Sequence, residues 1–154
     1  MISTIPAREA VVNVALAMTW VKEIGANRGQ AVEAILKRVY LAPGSPWCAA
    51  FVSYVGRAVL GHAWPLPMVG GCATLGDSAE ERAMLLTSPE PGAIFLLYSE
   101  EKKRFNHTGF IAVASTPCFT VEGNTSPDGS PDGTGVFERR RDFNARARFI
   151  HWWL

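Results

Sequence analysis

A chain of 154 residues, 48% hydrophobic and 19% charged, has the size and composition of one globular domain and is too apolar for a disordered chain. Fifteen Lys plus Arg against fourteen Asp plus Glu leave a formal charge of +1, which supplies no global field for gripping nucleic acid or an anionic membrane. The three cysteines are an odd number and exclude a scaffold held only by disulfides.

Apolar residues Val11, Val14, Ala15, Met18 and Val21 recur at helical spacing and predict a helix over 7–24, with Gly25 as its stop. Val32, Ile35, Leu36 and Val39 predict a second over 30–39. After the break at Leu41–Pro46 a third helix is expected over Pro46–Leu60, with Ser45 as cap and Pro46 in its first turn. Residues 61–76 hold four glycines and two prolines and read as a loop; Asp77 with Glu80 then reads as the capping pattern of a short helix to Leu86. Beyond Pro91 the period changes. Gly92–Tyr98, His107–Ser115, Cys118–Asn124, Gly135–Arg141 and Phe149–Leu154 are short β-rich runs between turn residues. Helices first and strands afterwards predict a single α+β domain over residues 1–154, with an antiparallel sheet.

No run reaches the ~18 consecutive apolar residues of a membrane span, so no membrane insertion is expected. The N-terminus shows no basic segment followed by an apolar core and a cleavage site, so synthesis without a secretory signal is expected. In a reducing cytoplasm each of Cys48, Cys72 and Cys118 reads first as a small buried hydrophobe.

Cys48 differs by position. In the first turn of a helix its sulfur lies beside backbone N–H groups that have no intrahelical partner. Those groups and the helix dipole favour a thiolate and could hold a developing oxyanion. Of the histidines, His62 sits in the Gly/Pro loop and His151 among tryptophans. His107 opens an apolar strand, at the sheet rim. In the following run Thr120, Glu122 and Asn124 share a face. A two-residue turn at Thr116-Pro117 would set Gly109 opposite Asn124 and Ile111 opposite Glu122. Asn124 would then lie diagonal to His107 on the same face, with space left by Gly109. A thiolate nucleophile, an imidazole base and a third group that orients the imidazole suit acyl transfer.

Pro46-Trp-Cys-Ala-Ala-Phe-Val52, His107-Thr-Gly-Phe-Ile-Ala112 and Val121-Glu-Gly-Asn-Thr125 together resemble the CHAP family, cysteine, histidine-dependent amidohydrolases/peptidases related to the NlpC/P60 enzymes. Glu23–Gly29 and the stretch from Val121 to Arg141 extend the likeness to residues 20–141. The resemblance implies a papain-like fold with Cys48 as nucleophile and His107 as general base. It matches Glu122 to the acid that orients the histidine and Asn124 to a polar fourth member. Trp47 becomes a candidate wall of the substrate groove, with a core aromatic as the alternative. The implied activity is cleavage of an amide or peptide bond of bacterial peptidoglycan. The enzyme would be a monomer without cofactor, a phage endolysin or a delivered antibacterial effector. It would be made in the bacterial cytoplasm and act at the wall or periplasm; an effector would also have an immunity protein as partner. The competing expectation is a catalytically silent wall-binding or virion-structural module of the same fold.

No nucleic-acid partner is expected. Asp128 and Asp132, both in Pro-Asp-Gly turns, are the only candidate calcium pair, and zinc-ligand spacing is absent, so no metal is expected. Phe137–Arg148 carries five arginines against one Glu and one Asp; it reads as a solvated strand face, with an anionic polymer as the alternative ligand.

Overall fold

The computed structural model describes residues 5–128 and 133–154. Among these, four α-helices precede the main strands: α1 (Ala7–Ala17), α2 (Gln30–Lys37), α3 (Cys48–Leu60) and α4 (Cys72–Glu81), with a 3-10 turn at Gly61–Ala63. Six strands follow: β1 (Leu85–Leu86), β2 (Ile94–Ser99), β3 (Arg104–Val113), β4 (Cys118–Thr125), β5 (Gly135–Arg141) and β6 (Arg148–Ile150). They form one sheet in the order β1-β6-β2-β3-β4-β5, with every neighbouring pair antiparallel. The α+β expectation holds.

Helix α3 is buried from Cys48 through Gly56 except at Tyr54, so it runs through the core and presents no continuous polar stripe. Phe51 meets Phe110 of β3 edge-on at 6.5 Å between ring centroids, and Ile94, Leu96, Val121 and Val136 complete that side of the sheet. Each fully buried side chain of this size contributes roughly 1.5–3 kcal/mol relative to exposure. A smaller cluster of Phe95, Ile111, Cys118, Ala147 and Phe149, capped by Phe143, forms a second core. Cys118 therefore is the buried hydrophobe its sequence suggests.

Several elements depart from the periodicity. Helix α1 stops at Ala17, not near residue 24, because 21–23 is recruited as an extended neighbour of β5. The Val136 N–H donates to Val21 O at 3.0 Å and the Glu23 N–H to Thr134 O at 2.8 Å. Helix α3 begins at Cys48 with Trp47 as its cap residue, and the Ser45 hydroxyl bonds to Ala42 O instead of capping. Helix α4 begins at Cys72, inside the expected loop. Cys72, Leu75, Gly76 and Ala79 recur at helical spacing and are all buried, and Asp77 lies mid-helix instead of capping it. The expected end of that helix is β1, which pairs with β6. Strand β3 starts three residues before His107, so the histidine lies within the strand and not at its first position. His151 is 2% exposed and its ring Nε2 lies 3.0 Å from Ser88 O, a satisfied core histidine.

Candidate active site

The β3–β4 register decides which side chains meet. Phe110 pairs with Val121 and Ile111 with Thr120, two residues away from the register of a two-residue turn. A slip of two keeps every side chain on its face but changes its partner. Glu122, and not Asn124, therefore reaches His107: the imidazole Nε2 lies 2.7 Å from Glu122 Oε1. Gly109 makes the crossing possible. A Cβ there would stand 2.8 Å from Glu122 Cγ and 2.9 Å from the Phe95 ring.

Glu122 is fully buried and carries four hydrogen bonds. Besides His107, Thr120 Oγ1 donates to Oε2 at 2.6 Å, and Arg141 donates from Nε to Oε2 and from Nη2 to Oε1, both at 2.6 Å. Every strong acceptor position on the carboxylate is used, which a buried charge requires. Burial opposes ionisation of Glu122, but Arg141 first and His107 second overcome it and hold the carboxyl at about 2.

With Nε2 committed to Glu122, Nδ1 is the ring nitrogen left for Cys48. The Cys48 thiol, 5% exposed, lies at the first residue of α3. A hydrogen bond from Cys72 and then the hydrogen bond and charge of His107 hold it well below its ordinary value, with the Ala49 N–H adding to them against the cost of burial. Burial likewise opposes the charge on His107, but Cys48 and Glu122 raise the imidazole to about 9. Both shifts favour the thiolate–imidazolium form of the pair. In that form the chain Cys48⁻, His107⁺, Glu122⁻, Arg141⁺ alternates in sign and sums to zero, which lets it sit in a mostly buried place.

Asn124 does something else. A bulge separates Glu122 from Thr125 in the β4–β5 pairing, and Asn124 takes the left-handed conformation at φ 52°. In the amide orientation that satisfies both ends, its oxygen accepts from the Trp47 backbone N–H at 3.1 Å. Its nitrogen donates to Asn27 Oδ1 at 3.1 Å and Glu23 Oε1 at 3.3 Å. Asn124 therefore fixes the entry to α3, not the imidazole. The same junction needs Gly123, where a Cβ would lie 2.6 Å from Phe51 Cβ and 2.9 Å from the Trp47 ring.

Trp47 is fully buried, and its indole N–H donates to Glu23 Oε1 at 2.8 Å. Its ring is a core group, which corrects its placement as a groove wall. The cleft at the site holds about 670 Å³, and Cys48, His107, Asn124, Arg139 and Arg141 are among its lining residues. Glu122 lies beneath this lining.

Three participants have no role in the sequence reading. Thr120 shares the face of Glu122 by alternation, so its position is foreseeable but its hydrogen bond is not. Arg141 is hidden inside the basic run. Cys72, read as a bland core residue, places its sulfur 3.5 Å from that of Cys48. The basic run itself is not a free stripe. Arg139 bonds Thr125 and Ser126, Arg140 lies over Phe119, Arg146 pairs with Glu100, and Arg148 caps the carbonyls of Ala145 and Ala147. Among the described residues no group of three or more His, Cys, Asp or Glu could hold a metal, and no helix is long and apolar enough to cross a membrane. Asp132 of the candidate calcium pair lies outside the described residues. No family model, curated protein or solved structure matches the chain.

Proposed function

We propose that the chain is a thiol hydrolase of papain-like fold and CHAP type that cleaves an amide or peptide bond of bacterial peptidoglycan. The observation that carries the chemistry is the relay from Cys48 through His107 to Glu122, with the nucleophile at a helix start and on the wall of a cleft. The choice of peptidoglycan rests on the likeness of the Pro46–Val52, His107–Ala112 and Val121–Thr125 blocks to that family.

The Cys48 thiolate attacks the scissile carbonyl carbon. The carbonyl oxygen gathers negative charge beside the first-turn N–H groups of α3, that of Cys48 among them. The tetrahedral intermediate collapses as the His107 imidazolium gives its proton to the leaving amine. His107, now neutral, takes a proton from water. The hydroxide attacks the thioester carbon and the C–S bond breaks, releasing a carboxylic acid and the Cys48 thiolate, which restores the ion pair. Glu122 keeps the ring aligned and stabilises its charged form throughout.

A phage endolysin released through a membrane pore and an effector delivered by a secretion machine, with its immunity protein, are the two forms this reading takes. Incubation with purified peptidoglycan followed by mass spectrometry tests the reading, and the new termini identify the bond cut. Tight co-sedimentation with the wall and no released fragments would replace it with a silent binding module.

A further inference from the structure

The hydrogen bond that favours the Cys48 thiolate also brings two buried sulfurs together. Cys48 is the first residue of α3 and Cys72 the first of α4, so two helix N-termini converge on one point. Their Sγ atoms are 3.5 Å apart, and the residues are 5% and 7% exposed. A disulfide requires about 2.0 Å, which asks for a closure of about 1.5 Å. Cys118 belongs to the separate cluster around Phe95 and Phe149.

We infer that Cys72 is a resolving thiol, and that peroxide converts the Cys48–Cys72 pair into a reversible disulfide that blocks the nucleophile. This rests on Cys48 being the reactive thiolate, not on the identity of any substrate. The Cys48 thiolate attacks one peroxide oxygen and the O–O bond breaks, leaving a sulfenic acid on Cys48 and releasing hydroxide. The Cys72 sulfur then attacks the Cys48 sulfur. An S–S bond forms, the S–O bond breaks, and the Cys72 proton departs with the leaving hydroxide as water. The two sulfurs lose two electrons, and the peroxide receives them.

The electrostatics order these steps. The Cys72 thiol is pushed well above its ordinary value, first by donating to Cys48, then by burial and by the Cys48 charge, with Arg104 opposing. Cys72 therefore stays protonated while Cys48 is the better nucleophile. Once Cys48 carries oxygen its negative charge is gone, and two of the three effects holding the Cys72 proton go with it. The cleft admits a molecule of peroxide size to Cys48, whereas no comparable route to Cys72 is needed. Without a partner so close, a reactive thiolate continues to the irreversible sulfinic acid.

Intact-mass and peptide-mapping spectrometry of the full chain after brief treatment with dilute hydrogen peroxide tests this. The wild type should lose two hydrogens and yield a linked pair of peptides carrying Cys48 and Cys72. Cys48 should stop reacting with iodoacetamide, and dithiothreitol should restore both mass and labelling. Cys72→Ser should instead take up two oxygens on Cys48, with no recovery of labelling in dithiothreitol. The wild-type result decides even if that variant does not fold. Oxygen uptake on wild-type Cys48 without a crosslink, or a crosslink to Cys118, would overturn the inference.

Discussion

Glu122 and Arg141 meet through two parallel hydrogen bonds of 2.6 Å, from strands that are neighbours in the sheet. The pair lies behind the imidazole, so the arginine acts on the histidine only through the carboxylate. Arg141→Met should leave a buried carboxylate with a diminished set of donors. Unfolding by urea should show a loss of about 3 kcal/mol, the cost of breaking rather than replacing a buried pair. The double variant Glu122→Gln with Arg141→Met should recover part of that stability but not the activity.

Cys48→Ala should abolish release of fragments from peptidoglycan while the circular dichroism spectrum stays native. Cys118→Ala should cost about 1 kcal/mol in the second core and leave turnover per folded molecule intact. Full activity in the first variant would end the thiol mechanism.

The reactive state needs a deprotonated Cys48 and a protonated His107. Since the imidazole is raised to about 9, kcat/KM should fall as pH rises through that value. Glu122→Gln removes one cause of the elevation and should move the alkaline limb to lower pH. Stability follows the same groups. The raised His107 contributes fully below its ordinary value of 6.5, and that contribution is lost as pH rises through about 9. The depressed Glu122 contributes above 4.5, and that part is lost as pH falls through about 2. Unfolding free energies across pH should therefore decline at both ends.

Asn124→Ala removes the acceptor for the Trp47 N–H and loosens the start of α3. A small displacement of the nucleophile should lower kcat by on the order of tenfold. The alkaline limb should stay where it is, because Asn124 does not bond the imidazole. That contrast with Glu122→Gln separates the two residues by a pH–rate profile. An equal shift of the limb in both variants would refute the division of roles.

Much of this site was legible in the chain. The position of Cys48 after a Pro-Trp pair, the inward face of Glu122, and the room that Gly109 leaves beside His107 all follow from helical and strand periodicity. The pairing partner of His107 did not, because it depends on the connection between Val113 and Cys118 and on a bulge between Ile111 and Val113, neither of which local sequence sets. Arg141 was illegible for a different reason: the two residues before it are arginines too, and only the sheet pairing tells which one faces Glu122. Helix α4 was obscured by glycines at 70, 71 and 76, which lower helix propensity while its apolar spacing persists. The early stop of α1 is a case of tertiary pairing overriding local preference, since Val21 fits the helical stripe and sits beside β5 instead.

The burial of α3 on nearly every side bears on motion. From Phe51 to Gly56 the helix shows so little surface to solvent that its amide protons should be among the last to exchange. The nucleophile then stands one turn from the slowest-exchanging part of the molecule. Substrate meets a thiolate whose place is already fixed before binding, and whatever adjustment recognition demands falls to the rim of the cleft.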